Sequence, residues 1–491
     1  MNIHEDYPGG SAPAVAWAGR AAIFTAAALA IGGCTLQSGY VPPDMNGPNA
    51  WSEASALQVK REPAAEDGWW RALGDPAVDM LIESALADSP TLSQAVARMD
   101  EARATLGVNS AAAAPTITAS GSATRAKSQN TVGPATTLIS NSAAIGPALS
   151  WEVDLFGRIR NSVDAVRNRL DARTADAAAA RLSLAADVAN GVLSLRACDN
   201  SRAVLADDIA ARERSLGLTR LRATSGFAPP SDVARAVSGI ATVRTNLASQ
   251  QEQCARQVNA LVALSGKDAS AVRQQVLGAA TTPAFMPQPP ASAPELPATV
   301  LARHPSVIAS NGEAAAAWAE IGVARADRLP RLDLAAVLTG QWIRAAGSTL
   351  NFTTWSIGPS LTGTLFDGGA GAANVSAAEA RYRQSVASLR GTLRTTVEDV
   401  ENALAAQTSA QDRAASAHEA TDAAHTTLVA AEGQWKAGAI SLFELEDSRR
   451  QYASAQDAEI SARRDRAQAW VALVKATGGA VTLTTEPTAH E

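Results

Sequence analysis

From Arg158 to Ser225 no proline interrupts the chain, and apolar or small residues recur at Leu182, Ala185, Ala186, Ala189, Val192 and Leu193. Those three-and-four spacings lay one stripe along a single helical face. A second run from Ala372 to Ala437 has the same extent and also lacks proline. At ~1.5 Å per residue, a helix of about 67 residues would reach about 100 Å. Such a helix can cover its stripe only by packing on helices of similar length, in a coiled-coil-like wall. Gly226 and Gly438 stand where each run stops, and glycine suits the left-handed position after a helix. Pro229 and Pro230 bar continuation in the first copy, where Ser231 can cap the next helix. In the second copy Ser441 and Glu444 fit a capping box. Return helices are predicted over about 232–264 and 443–475.

Between Pro115 and the first long run the period changes from helical to alternating. Residues 116–125 and about 138–153 read as strands around a polar loop. In the second copy Leu332, Leu334, Ala336, Leu338 and Trp342 fall on one face, while Arg331, Asp333, Thr339 and Gln341 fall on the other. Its partner strand covers about Leu350 to Leu365. Strands of about ten residues or more are long enough to cross a bilayer when tilted. Trp151, Trp342 and Trp355 fit either the lipid–water boundary or a core. Two hairpins give four strands, whereas the smallest closed membrane barrels use about eight. Open edges in lipid would leave backbone groups unpaired at a cost of several kcal/mol each. Three chains would supply twelve strands, which can close.

These elements occur twice. Ile145/Ile357, Pro147/Pro359, Gly226/Gly438 and Gly266/Gly478 are each 212 positions apart, and Pro90/Pro305, Gly107/Gly322 and Pro115/Pro330 are each 215 apart. This is a tandem duplication of one large unit, with a period far beyond that of a short solenoid repeat. The predicted organisation is a signal peptide over 1–33, a tether over 34–75, a first repeat over 76–266, a linker or equatorial segment over 267–300, a second repeat over 301–478 and a tail over 479–491. The first repeat opens with Trp69-Trp70, then Asp75-Pro76, and runs into Val78, Leu81, Ile82, Ala85 and Leu86 at helical spacing. A second helix follows over about 91–112.

Composition sharpens this picture. Aromatic residues make up 4% of the 491-residue chain and charged residues 18%, and much of the 46% hydrophobic content is alanine. That suits long helices packed through small side chains better than a thick globular core. A net charge of −6 without a basic block argues against nucleic acid. Arg20 precedes an apolar run from Ala21 to Ile31, too short to span a bilayer, and Ile31-Gly32-Gly33-Cys34 follows. The pattern resembles a lipoprotein signal cleaved before Cys34, which would carry S-diacylglycerol and N-palmitoyl groups, the only prosthetic chemistry expected. An ordinary secretory signal with an incidental cysteine is the alternative. Glu5 and Asp6 make a long, poor n-region and fit a start downstream of Met1. Several acyl chains on one residue anchor stably where one is marginal.

Cys198 lies 28 residues before Gly226 and Cys254 lies 28 after it, so antiparallel helices joined there bring the two to similar height. A disulfide in an oxidising compartment is one outcome, and two separate buried thiols are the other. His4, His304, His418, His425 and His490 do not cluster with cysteine, and no nucleophile elbow, P-loop or zinc-protease motif occurs. His418 and His425 share a helix face with Asp422, a pattern open to a cation site or to plain surface placement. No metal site and no enzyme activity are expected.

The order of anchor, helix, hairpin, long helix, tight turn and return helix, all but the anchor repeated, resembles the outer membrane efflux protein family, the TolC-like and OprM-like factors. Within it the likeness is to the NodT-like lipoprotein branch of RND-type efflux systems. The segments that carry it are the duplicated Ile-Gly-Pro strands at Ile145 and Ile357, the Trp69-to-Pro76 opening and the turns at Gly226 and Gly438. The resemblance implies a mainly α protomer with a membrane β-barrel, forming a homotrimer with a twelve-stranded barrel and an α-helical barrel. It implies an outer-membrane conduit reaching into the periplasm, a periplasmic adaptor and an inner-membrane pump as partners, and passive passage of small molecules. It assigns adaptor contact to Gly226, Phe227, Gly438, Ala439, Ile440 and Ser441, although Pro229-Pro230 depart from the family's usual first turn. It also implies a periplasmic gate near Leu428 and Glu432, with Asp422 assisting and Arg220 or Arg222 as pairing partners. A conduit for secreted proteins and a non-conducting scaffold lipoprotein remain alternatives, the scaffold having no use for alternating strands in both copies.

Overall fold

The computed structural model describes residues 39–44, 47–53, 68–129, 137–278, 285–290, 292–294, 297–479 and 481–483. The signal segment, Cys34 and most of the tail lie outside the described residues. In the first repeat, α1 spans Pro76–Asp88, α2 Pro90–Ala111, β1 Thr116–Gln129, β2 Thr137–Val153, α3 Arg158–Thr224 and α4 Pro230–Ser265. In the second, α5 spans Pro297–Arg303, α6 Pro305–Ala326, β3 Arg331–Ala345, β4 Ser348–Thr362, α7 Ala370–Lys436 and α8 Leu442–Ala476. Both long helices have 67 residues. Their ends differ by the same 212 positions as the sequence landmarks. The described residues divide into two compact units, one drawn from 39–43, 101–170 and 312–386, the other from 44–100, 171–311 and 387–483.

The first unit holds one antiparallel sheet in the order β1-β2-β3-β4, so β1 and β4 are its edges. Ile117 stands opposite Leu149, which stands opposite Ala336, which stands opposite Ile357. Paired residues share a face, so these apolar positions of the four strands line one side, while Leu350 and Phe352 of β4 fall on the other. The other side carries Thr116, Thr118, Ser120, Ser122 and Thr124 on β1. Ile117, Ile145, Trp355, Ile357 and Leu361 are exposed in the single chain. Trp151 is half-buried and its indole N–H donates to the Ala113 carbonyl at 3.0 Å, whereas Trp355 is 74% exposed. Gly146 is required by close approach: a Cβ there would lie 1.8 Å from the Leu338 carbonyl oxygen on β3. Around the sheet's helices, Trp318 packs on Tyr382 with ring centroids 5.0 Å apart, and Arg325 pairs with Glu379 at 3.0 Å.

The second unit has its main core where α1, α3, α4 and α8 meet, filled by Trp69, Trp70, Leu81, Ile82, Leu193, Leu261 and Trp470 among others. The Trp69-to-Pro76 opening has a physical reason. Trp69 packs against Trp470 with ring centroids 5.7 Å apart and planes tilted by 57°, Gly74 turns the chain at φ 63°, and Asp75 caps α1 by accepting from the Ala77 N–H. Asp75 is fully buried, and there the Arg196 guanidinium on α3 donates two hydrogen bonds to it, at 2.6 and 2.8 Å. Bidentate pairing of this kind offsets the desolvation of both groups. Residues 47–53 of the expected tether dock on this unit. Trp51 is buried beside Val300, Val400, Leu404 and Leu473, and the backbone N–H groups of Ser52 and Glu53 donate to the two carboxylate oxygens of Glu401 at 2.8 and 3.0 Å.

Three expected boundaries differ. β1 runs to Gln129 rather than to 125, because polar positions 126–129 continue the ladder with 137–140 of β2. The span 267–300, expected as a linker or equatorial segment, contains a short helix Ala269–Arg273 capped by Asp268, whose side chain accepts from the Ser270 and Ala271 N–H groups. It also contains a short strand, Ser292–Pro294, which pairs antiparallel with Val481–Leu483 from the expected tail. β4 ends at Thr362 rather than near Leu365.

Cys198 and Cys254 are joined by a disulfide between α3 and α4, with Cα atoms 5.6 Å apart and 56 residues of separation. Their counterparts 212 positions on are Ala410 and Arg466, so the second hairpin carries no such link. Closing a loop of that length is worth about 4 kcal/mol in the chain-entropy model. Without reductant neither thiol should react with an alkylating reagent, and both should after reduction. A C198A/C254A variant should unfold at a lower temperature by calorimetry.

Candidate functional site

The turns at Gly226 and Gly438 end α3 and α7 in the same way. Gly226 has φ 74° and Gly438 φ 75°, which a side chain would strain. The Phe227 N–H donates to the Arg222 carbonyl and the Gly226 N–H to Ala223, and the Ala439 and Gly438 N–H groups repeat the pattern to Gln434 and Trp435. This is the Schellman closure, which satisfies carbonyls the helix end would leave open. At the second turn the Ser441 hydroxyl accepts from the Glu444 N–H, and the Glu444 carboxylate accepts from the Ser441 N–H at 2.7 Å, forming the full capping box. Those bonds, first from the Ser441 backbone and then from its hydroxyl, hold the Glu444 carboxyl below its ordinary value.

Beneath the turns, Leu216 of α3, Ala236 and Ile240 of α4, Ala431 and Trp435 of α7, and Leu442 and Leu445 of α8 form one small core, with Leu428 and Ile440 packed on it. The four helix ends are therefore a single packed body. Of the residues assigned to adaptor contact, Gly226, Phe227, Gly438, Ala439 and Ser441 are exposed, while Ile440 is half-buried against this core. Phe227, 84% exposed, is held outward by a turn whose backbone bonds are satisfied.

Buried charge links the hairpins. Arg449 on α8 is 6% exposed and donates to Glu432 of α7 at 3.0 Å, to Glu446 at 3.3 Å and to the Ser215 hydroxyl of α3 at 2.7 Å. Arg212 of α3, also buried, pairs with Asp208 at 2.9 Å and with Glu446. The chain of alternating charge is thus Asp208, Arg212, Glu446, Arg449, Glu432, crossing from α3 through α8 to α7.

The pairing expected of Glu432 with Arg220 or Arg222 is corrected by this arrangement. Glu432 turns toward the return helix of its own hairpin, where Arg449 stands 17 residues later. Arg222 instead lies over the Trp435 ring at 4.7 Å and donates to the Trp435 and Lys436 carbonyls at 3.2 and 3.4 Å, where a cation at a helix C-terminus is favoured. Arg220 is exposed, and exposed Asp422 pairs at 3.7 Å with His418. His418 also meets Glu459 at 2.9 Å, and His425 packs on the Tyr452 ring at 5.3 Å, so the two histidines do not converge. Among the described residues no group of three or more His, Cys, Asp or Glu is placed to hold a metal ion.

Arg449, Glu446 and Arg212 were not singled out from the sequence. A signal existed: Arg449 lies four residues after Leu445, and Arg212 four before Leu216, so each arginine sits on the apolar stripe of its helix.

The molecule is a duplicated protomer that joins a four-stranded antiparallel sheet with exposed edges to two long helical hairpins. The pattern of the family described as "Outer membrane efflux protein" matches residues 81–267 and 296–479, once per repeat. The chain belongs to that family. It is 28% identical to outer membrane protein OprJ of Pseudomonas aeruginosa over 469 residues, covering 92% of this chain and 94% of that protein. It is 26% identical to nodulation protein T of Rhizobium leguminosarum bv. trifolii, covering 86% of this chain and 89% of that one. The solved outer-membrane channel OprN superposes with a TM-score of 0.81 at 25% identity, over 91% of this chain and 99% of that one.

Replacing Arg449 by Met should leave half-buried Glu432 without its partner and Glu446 with Arg212 alone, at a cost of about 1.5 kcal/mol. Amide exchange at the helix ends near Leu216 and Leu445 should accelerate, while exchange near Leu193 and Trp470 should not. For the Glu444 cap the folded carboxyl titrates lower than the unfolded one, so its stabilisation is complete above the ordinary glutamate range. It is lost as pH falls through the depressed value. NMR titration should show Glu444 protonating later on acidification than in Ser441→Ala.

Proposed function

We propose that this protein is the outer-membrane channel of a tripartite efflux system, passively passing small molecules delivered by a periplasmic adaptor and an inner-membrane pump of the RND type. The observation that carries the reading is the union, in one duplicated chain, of an antiparallel sheet with an exposed apolar face and two 67-residue helices. A sheet with open edges is tolerated in lipid only when further strands complete it. Three copies give twelve strands, and the homotrimer is part of the proposal. Membership of the outer membrane efflux protein family supports the direction of transport. Cys34 is proposed to carry the S-diacylglycerol and N-palmitoyl anchor.

The turns are the proposed docking points for the adaptor, with Phe227 and the Gly438-to-Ser441 backbone presented outward by satisfied caps. The gate is proposed near Leu428 and Glu432, governed by the charge chain through Arg449 and Glu446. Displacing one hairpin against the other would separate Arg212 from Glu446, so opening is coupled to breaking desolvated pairs. No catalytic step is proposed, and energy for transport comes from the pump.

Deletion of the gene should sensitise cells to some members of a panel of antibiotics, dyes, bile salts and metal ions, and a complementing copy should restore growth. Sensitisation that no complementing copy reverses would contradict the efflux role.

A further inference from the structure

The apolar face of the sheet carries charge at one end only. Arg125 stands opposite Asn141, Asn141 opposite Arg344 and Arg344 opposite Thr349, so these four form one row on the face that Ile117, Leu149, Ala336 and Ile357 occupy. Lys127 follows on the same face of β1, opposite Ile139. All three cations are exposed, and none has an ion-pair or side-chain hydrogen-bond partner among the described residues.

The sheet holds no acid that could neutralise them. Glu152 and Asp333 are the carboxylates of the four strands, and they stand opposite each other at the far end. Residues 130–136, between β1 and β2, contain no Asp or Glu. A second copy brings the same strands, and so no carboxylate for this row either.

The connections of the sheet give the row its level. α2 and α6 lead into β1 and β3, and α3 and α7 follow β2 and β4, all at the end marked by Thr116, Val153, Arg331 and Thr362. The cations lie at the opposite end, toward the turn at Ala346 and Gly347. With the long helices in the periplasm, as proposed above, that end reaches the outer leaflet. From Leu332 to Trp342 the same face of β3 reads Leu, Leu, Ala, Leu, Gly and Trp, without a charge. That stretch rises about 34 Å along the strand and, at a tilt of about 40°, about 26 Å in height, which matches the apolar band of a membrane barrel. Arg344 follows about 7 Å beyond Trp342 along the strand. A cation on the lipid face is costly at mid-bilayer and tolerated at headgroup level, where indole rings also collect.

Resting on the outer-membrane reading above, we infer that Arg125, Lys127 and Arg344 bind the phosphate groups of a phosphorylated glycolipid headgroup in the outer leaflet. Arg125 and Arg344 are two strand spacings apart, about 10 Å, a gap that two long side chains can close on one headgroup. Each guanidinium matches a phosphate with two parallel hydrogen bonds, and Asn141, between them in the row, adds a neutral donor. Three cations so close together suit a headgroup with more than one phosphate. Leu332, Val153 and Leu361, at the helix end of the same face, offer no cation, so the attraction is to one leaflet alone.

The test titrates the purified full-length protein in neutral detergent with lipid A, a glucosamine lipid bearing phosphates, and counts bound lipid by native mass spectrometry. The parent should bind roughly tenfold or more tightly than an Arg125→Gln/Lys127→Gln/Arg344→Gln variant. Lipid A stripped of its phosphates should bind weakly, and excess inorganic phosphate should not displace the intact lipid. Arg125→Lys/Arg344→Lys, which keeps the charges, should retain most of the affinity. Equal affinity of parent and triple variant, both eluting at the same size, overturns the proposal. Equal binding of the dephosphorylated lipid overturns it on the parent protein alone, whatever the folding of the variant. Displacement by inorganic phosphate overturns the lipid headgroup as the ligand. Failure of the parent to insert into vesicles of phosphatidylcholine and lipid A removes the outer-membrane reading, and this proposal with it.

Discussion

A β-sheet in lipid cannot leave its edges open, and this constraint governs the rest of the molecule. Each unpaired backbone group in hydrocarbon costs several kcal/mol. The chain nevertheless offers four strands, with β1 and β4 at the margins and an apolar face exposed across all of them. Four strands neither close nor hide that face. In the proposed trimer the difficulty is resolved because both margins meet another copy of the same unit. A stripe of small residues along 67-residue helices meets a similar requirement, since helices of that length bury their stripes only against one another.

The helical hairpins are fastened differently along their length. Near the main core, Asp75 and Arg196 pair out of contact with water, with tryptophan packing around Trp470. The first hairpin is also cross-linked through Cys198 and Cys254, whereas Ala410 and Arg466 leave the second without a covalent tie. At the turns, a small core around Trp435 is joined to the ion chain from Asp208 to Glu432. Buried ion pairs add little net stability but penalise states in which one partner is left alone. That asymmetry suits a contact that must hold one arrangement firmly and still be able to exchange it for another.

Much of the architecture was legible because long-range regularities carry it. Proline-free runs with small-residue stripes located α3 and α7, glycine marked their ends, and Ser441 with Glu444 identified a cap. Alternation located the four strands, and the equal heights of Cys198 and Cys254 followed from counting about Gly226. The partner of Glu432 was not legible. Periodicity reveals which face a residue occupies but not which of several arginines on neighbouring helices reaches it. The offset that matched Glu432 with Arg220 reported ancestry rather than proximity, and Arg449 lay nearer on the return helix. The pairing of residues 292–294 with 481–483 was hidden for another reason: three-residue strands joined across most of the second repeat leave no periodic trace.

The measurement that bears most directly on the central claim is single-channel recording of the purified protein reconstituted in a planar lipid bilayer. Discrete, reproducible conductance steps that scale with salt concentration are expected of a closed barrel assembled from several copies. A well-folded preparation that inserts into the bilayer yet gives no steps under any applied voltage would contradict the reading of this protein as a conduit.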